Sequence, residues 1–302
     1  MAAILAIAPI FGLIVLGYLL GWRQWLSPEG AGGLSQITFK LFMPCLLFVG
    51  IAKAPLDDAF SPLLLVAYFV PALTVFVLIN VFAHRVAGGP TALGLAGSYS
   101  NNVLVGIPMI TALFGHDGLV YLFALLAVHS LVLFSAQSFY AALGLGREQR
   151  PSAKALLKNL ANPLVIGLLL GVVVNISGLP LPNMLWQMLE WLSRAALACA
   201  LIVLGIGLTR YRLRSSPVIW KLCLLKLIAF PLIVWGLSIL MPGLSPLARH
   251  VLVLAAANPI GVNVLAFANT SEDQRTVGGS IFLSTLLAAL TLPVWMMVMS
   301  SA

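Results

Sequence analysis

The sequence is poor in charge. Of its 302 residues only 8% are Asp, Glu, Lys or Arg, while 61% are hydrophobic and the mean hydropathy is +1.08. A soluble domain carries about 25% charged residues, so a water-facing globule is excluded and an integral membrane protein is expected. Acidic residues are scarcest, and none of the eight lies deep in an apolar run. Asp57, Asp58, Asp117, Glu148, Glu272 and Asp273 read as loop residues, and Glu29 falls between the first two runs. Glu190 is near a run's end with Arg194 one turn on as its expected partner. A site for a cation would normally place a carboxylate inside the membrane, so cationic cargo is disfavoured.

Other absences narrow the classes further. The three cysteines, Cys45, Cys199 and Cys223, fall in apolar runs without metal-ligand spacing and read as small packing residues. The longest polar stretch, Gly146–Asn159, is too short to build a soluble core, so a receptor with a sizeable output domain is disfavoured. Neither His-x-x-x-His nor Gly-x-Ser-x-Gly occurs, which argues against an intramembrane enzyme. The N-terminal stretch MAAILAIAPIFGLIVLGYLLGW lacks a basic flank and is too long for a signal-peptide core, so it reads as a first span kept in the mature protein.

What the chain does have is a series of continuous apolar runs of the length that crosses about 30 Å of hydrocarbon as a helix. Turn and charge punctuation divides it into about ten spans, near 3–21, 34–52, 61–83, 91–114, 118–144, 160–178, 184–208, 217–240, 247–269 and 276–299. Arg23, Arg85, Arg147, Arg150, Lys154, Lys158, Arg210, Arg212, Arg214 and Arg275 collect on one side, which is expected to be cytoplasmic; Lys53 and Arg249 lie on the other. Both termini are then expected outside. The net charge of +8 is mostly this orientation signal, and no nucleic-acid partner is expected.

The basic linker 146–159 separates two halves, 1–145 and 160–302, of five spans each. Five is odd, so the halves are expected to be inverted repeats. A shift of about 154 residues sets Lys40 on Arg194, Cys45 on Cys199 and Leu47 on Leu201. Spans four and nine occupy equivalent places, and both are interrupted: NNVLVGIP begins at Asn101 and NPIGVN at Asn258. Such paired interruptions point to a transporter's binding site.

Proline supplies the reason. Pro108 and Pro259 have no N–H, which leaves the carbonyls of Leu104 and Ala255 without helical partners. In hydrocarbon such a break persists only beside protein or water. Half-helices restarting with Pro108 and Pro259 near their first turns would point positive ends at a common midplane point. Asn101, Asn102, Asn258 and Asn263 add neutral donors there, and Gly106 and Gly261 allow close backbone approach. That constellation suits a carboxylate. The plain alternative is a pair of proline kinks with helix-packing asparagines. Lys40 lies near enough to the basic side to snorkel, whereas Lys226 is deeper and is a candidate substrate contact. His129, embedded in span five, is either an interhelical hydrogen-bonding residue or a proton relay. Asn80, Gln137 and Asn175 read as interhelical glue.

NNVLVGIP resembles the span-four pattern Asn-Thr-Gly-Phe-Leu-Gly-Ile-Pro of the auxin efflux carrier family through Asn101, Gly106, Ile107 and Pro108. NPIGVNVLAFA is similar to its span-nine Pro-x-x-x-Asn-x-x-x-Ala through Pro259, Asn263 and Ala266. LFMPCLLF in span two fits as well, and in span seven Ala198 stands where the family commonly has proline. The resemblance covers essentially the whole chain and is to the short bacterial members. It implies an all-α integral membrane fold of ten transmembrane helices, two inverted five-helix repeats with crossed broken helices four and nine, as in sodium/proton antiporters and bile-acid symporters. It also implies a scaffold domain, an elevator-like motion, often a homodimer, and an inner-membrane location. Its substrates are small organic anions: auxin in plants, malonate or malate in bacteria. No cofactor is expected. Proton or sodium coupling stays open, and a sodium-coupled bile-acid-type symporter is the rival reading.

Overall fold

The computed structural model describes residues 2–54, 61–87, 89–144, 163–211 and 216–300; the linker 146–159 lies outside them. Among the described residues the chain is helical, apart from one isolated antiparallel bridge. The helices are α1 (Ala2–Trp22), α2 (Pro28–Ile37), α3 (Met43–Ala52), α4 (Pro62–Ala87), α5 (Leu93–Ser98), α6 (Ile107–Gly144), α7 (Pro163–Ser177), α8 (Asn183–Leu208), α9 (Pro217–Leu224), α10 (Phe230–Ile239), α11 (Pro246–Ala257) and α12 (Ser271–Ser300). Six stretches are long and apolar enough to cross a membrane: Pro28–Ala52, Pro62–Arg85, Asn102–Ala142, Asn183–Leu208, Pro217–Ile239 and Ser271–Met299. Ile7–Trp22, Pro163–Ser177 and Pro246–Ala257 are shorter apolar helices. The chain is therefore a multi-pass membrane protein. α6 runs on past the boundary expected near residue 115, but Gly115 takes φ 59° and ψ −144° there and turns the chain between two helical stretches.

Prolines shape several of these helices in one recurring way. Thr38–Phe42, Asn102–Gly106 and Leu225–Ala229 are π-turns, each ending two residues before a proline: Pro44, Pro108 and Pro231. A proline cannot donate to the carbonyl four residues back and crowds it; widening the turn by one residue relieves the clash without ending the helix. The freed carbonyl still needs a donor. For Pro231 that carbonyl is Leu227, and the Trp295 indole donates to it at 2.8 Å.

The helices fall into two groups by their closest packing, and the groups also touch each other. α1 lies against α8 where a Cβ on Gly17 would sit 2.2 Å from the Ile202 carbonyl oxygen and one on Gly205 would sit 2.0 Å from that of Ile14. α7 meets α3 in the same manner through Gly167 and Gly171. Small residues let membrane helices approach until backbones touch, which replaces the hydrophobic drive missing in lipid. α4, α5, α6 and α9 to α12 gather instead around the two interruptions. α12 shows the division of faces: Ile281, Ala288, Leu292 and Trp295 are buried, while Leu286, Leu290 and Val294, four residues apart, are exposed as a lipid-facing stripe.

Side-chain amides tie the helices as expected. Asn80 accepts from the Gly94 N–H at 3.3 Å and Gln137 donates to the Thr91 carbonyl at 3.0 Å. Asn175 reaches the carbonyls of Ile51, Ala52 and Ala54 at the end of α3. Two acidic residues are placed otherwise than expected. Glu190 pairs with Lys53 of α3, which also lies over the Trp186 ring, rather than with Arg194. A partner 137 residues away in sequence reaches it across the helix contact. Asp273 is not in a loop but in the first turn of α12, buried, where its carboxylate accepts the Ala92 N–H at 2.9 Å and so caps α5.

Candidate functional site

The two interrupted segments touch through their backbones. α5 ends at Ser98, the chain runs extended through Tyr99, and it re-enters helix at Asn102. α11 ends at Ala257, and a six-residue 3-10 stretch, Val262–Phe267, follows the gap. Across the gap the Asn101 N–H donates to the Pro259 carbonyl at 2.8 Å and the Gly261 N–H to the Tyr99 carbonyl at 3.0 Å, forming the antiparallel bridge Ser100–Ile260. The Ile260 N–H donates to the Ser284 hydroxyl at 3.1 Å. Each break thus supplies partners for the other, as a non-helical backbone buried in a membrane protein requires.

The breaks fall differently from the proline-based expectation. In span four the helix does not restart at Pro108. The π-turn absorbs that proline, and the restart lies earlier, at Asn102, where the Asn101 side chain caps it by accepting the Leu104 N–H at 3.3 Å. In span nine the segment after Pro259 is a short 3-10 stretch, so its positive pole is weaker than that of the segment opening at Asn102.

Side chains then converge on the crossing. Asn258 donates through its amide to Asn102 Oδ1 at 2.8 Å, and Asn102 donates to the Tyr68 hydroxyl at 3.4 Å. Gly106 makes room for this pair, since a Cβ there would lie 2.8 Å from the Asn258 amide nitrogen. Gly261 does the same for Tyr99, whose ring would lie 2.5 Å from an added Cβ. The Tyr68 hydroxyl also lies 3.2 Å from Ser100 Oγ and 3.3 Å from His129 Nε2. His129 stacks on Tyr99 at 4.5 Å between ring centroids. Asn263 is exposed, and the Tyr99 hydroxyl lies 2.9 Å from Ser130 Oγ.

Lys226 is fully buried at the centre. Its π-turn carries it under the break, and its Nζ lies 2.8 Å from Ser100 Oγ, 2.5 Å from the Ala256 carbonyl and 2.7 Å from the Asn258 carbonyl. Three oxygen acceptors fit the three donors of an ammonium. Two of them lie at the negative end of α11, Ala256 inside the helix and Asn258 at its C-cap, so the lysine caps it. All three acceptors are neutral. Among the described residues the ion pair is Lys53–Glu190, so no carboxylate partners Lys226. Lys40, in the matching π-turn of span two, is exposed.

The structure therefore brings together Asn101, Asn102, Gly106, Asn258, Pro259, Gly261 and Lys226, with His129 one hydroxyl away. Pro108 stands to one side, in the first turn of α6. Tyr68, Tyr99, Ser100 and Ser284 join the site without having been expected; a lone hydroxyl in an apolar helix carries no signal in sequence. The crossing is packed in this conformation: Asn101 is 5% exposed, Asn102 1% and Asn258 0%. Two polar atoms there remain without a partner, Asn101 Nδ2 and Asn258 Oδ1. A buried amide donor without an acceptor is costly, and beside an unbalanced ammonium it is suited to an anion.

Comparison with known proteins agrees with this geometry. The family model described as membrane transport protein matches residues 2–144 and 145–296. A protein of Rhizobium meliloti named "Putative malonate transporter" is 26% identical over 295 residues, covering 94% of this chain and 92% of its own. An uncharacterized transporter of Methanothermobacter thermautotrophicus is 28% identical over 293 residues, covering 95% of both chains. Uncharacterized transporter YfdV of Escherichia coli K12 is 23% identical over 305 residues, covering 96% of this chain and 95% of its own. With crossed interruptions in an all-helical membrane chain and a family match along nearly its whole length, the protein belongs to the membrane transport protein family of auxin efflux carriers, and it is a transporter rather than an enzyme.

Proposed function

We propose that the protein carries small organic carboxylates, malonate among them, across the inner membrane by alternating access around the crossing. The observation that carries this reading is Lys226: a buried ammonium, held on neutral oxygens beside the unpartnered Asn101 amide, at the point where two broken spans meet. A carboxylate arriving there supplies both the missing charge and the missing acceptor. The name of the Rhizobium relative supports malonate as the first substrate to try. The two family matches, meeting at residues 144 and 145, are in keeping with ten spans in two inverted halves. The two helix groups are in keeping with a scaffold and a moving unit.

The sodium-coupled alternative needs free carbonyls at the breaks to hold the ion. Lys226 already takes those of Ala256 and Asn258, which favours the uncoupled reading. An inside-negative potential favours anion exit by about 2.3 kcal/mol per charge per 100 mV, so efflux requires no coupling ion. Counterflow of labelled malonate in proteoliposomes tests this: exchange is expected with and without sodium, and it is expected to vanish in Asn101→Ala and in Asn258→Ala while both still insert. Exchange that requires sodium, or wild-type rates in either variant, would contradict the assignment.

A further inference from the structure

A second feature of the chain also suits an anion, away from the crossing. A cleft of about 500 Å³ opens on the basic face, between Tyr211 beyond the end of α8 and the first turns of α12. That volume lies within the usual range for small-ligand pockets. Arg210 and Arg275 line it, with Ser271, Gln274 and Gly278, and among the described residues no acidic side chain does. The two acids of the same turn do not cancel this charge: the Asp273 carboxylate faces the Ala92 N–H, and Glu272 is not part of the lining. Among the described residues neither arginine is in an ion pair.

The cleft is kept open by a missing side chain. A Cβ on Gly278 would sit 3.0 Å from Tyr211 Cδ1, so any larger residue would press on the ring that walls the site. The Gln274 amide nitrogen is engaged with the Ala268 carbonyl at 3.2 Å, which leaves the two guanidinium groups and the Ser271 and Tyr211 hydroxyls as the side-chain donors of the lining. Guanidinium forks match the oxygen pairs of carboxylates and phosphates. α12 also fixes the distance to the crossing. Ser284, which holds Ile260, is ten residues beyond Gln274, or about 15 Å along the helix. The cleft is thus a separate site, about half of a ~30 Å hydrocarbon thickness from the crossing.

We propose that this cleft binds an oxyanion between Arg210 and Arg275. The same chemistry is offered by a small free carboxylate and by the phosphate of an anionic lipid, and the experiment separates the two. The inference does not rest on the transport reading and survives if no flux is found.

The test uses the full chain in nanodiscs, with Arg210→Gln/Arg275→Gln, the single Arg275→Gln, and Gly278→Leu as a variant that fills the cleft without changing charge. Asn101→Ala serves as a crossing variant. In neutral phosphatidylcholine, labelled malonate binding is measured; in a mixed membrane, retention of phosphatidylglycerol through detergent extraction is measured. If malonate affinity falls at least tenfold in the arginine and Gly278 variants but a site persists in Asn101→Ala, the cleft takes free carboxylates. If phosphatidylglycerol retention falls instead, it takes lipid phosphate. Malonate binding and lipid retention both within twofold of wild type in the double arginine variant would overturn the proposal.

Discussion

The two interrupted spans solve the same problem with opposite chemistry. Span four leaves the crossing by its positive end, and a side chain of its own, Asn101, caps it. Span nine arrives by its negative end, and two carbonyls there are held by a lysine from a different helix. The consequence is an asymmetry in charge. One break presents amide donors, the other a cation, and together they make a positive, donor-rich point with no acid to neutralise it. A pair of proline kinks serving only to bend helices would leave such a point without a purpose.

Breaking the asymmetry at Lys226 is expected to have the largest effect. Lys226→Met removes the amine and leaves the Asn258 carbonyl without its donor, at a cost of roughly 1–3 kcal/mol, while Ser100 keeps the Tyr68 hydroxyl and the Ala256 carbonyl keeps Ser100. Malonate exchange is expected to fall at least about 100-fold, equivalent to about 2.7 kcal/mol, and the thermal midpoint of the purified protein to drop. Exchange near wild type would show that the charge is incidental. A milder variant separates support from site. Trp295→Phe loses the indole that satisfies the Leu227 carbonyl one residue beyond the lysine. It is expected to cost about 1–3 kcal/mol of stability, with exchange rates altered only modestly; unchanged unfolding would contradict the role given to that contact. The smallest effect is expected at the outer ion pair. Glu190→Gln breaks an exposed contact with Lys53, and exposed pairs contribute little. Exchange and thermal midpoint are both expected to match wild type, and loss of either would place that pair in the working machinery.

Much of this was legible in the residues. Asn, Gly and Pro inside apolar runs marked both breaks, because nothing polar is cheap there, and six of the residues so marked meet at the crossing. The depth of Lys226 was legible for the same reason. What the sequence hid was geometry. Pro108 looked like the start of a half-helix, yet a π-turn accommodates it and the restart moves to Asn102; a π-turn has no signature beyond the proline that follows it. Tyr68 and Ser100 were invisible because a hydroxyl in an apolar helix usually bonds its own backbone, as Thr74 and Thr111 do. Glu190 looked paired with Arg194 because helix spacing reveals only neighbours on one helix, whereas its partner came from α3. Asp273 looked solvated, and burial against α5 made it a cap.

The central claim is that the crossing holds an anion. Equilibrium binding of labelled malonate to purified protein tests it most directly, comparing wild type with Asn101→Ala/Asn258→Ala in a background where Arg210 and Arg275 are both glutamine. The account predicts saturable binding in the parent and its loss in the asparagine double variant, with helical circular dichroism unchanged. Equal binding by the two proteins would contradict it.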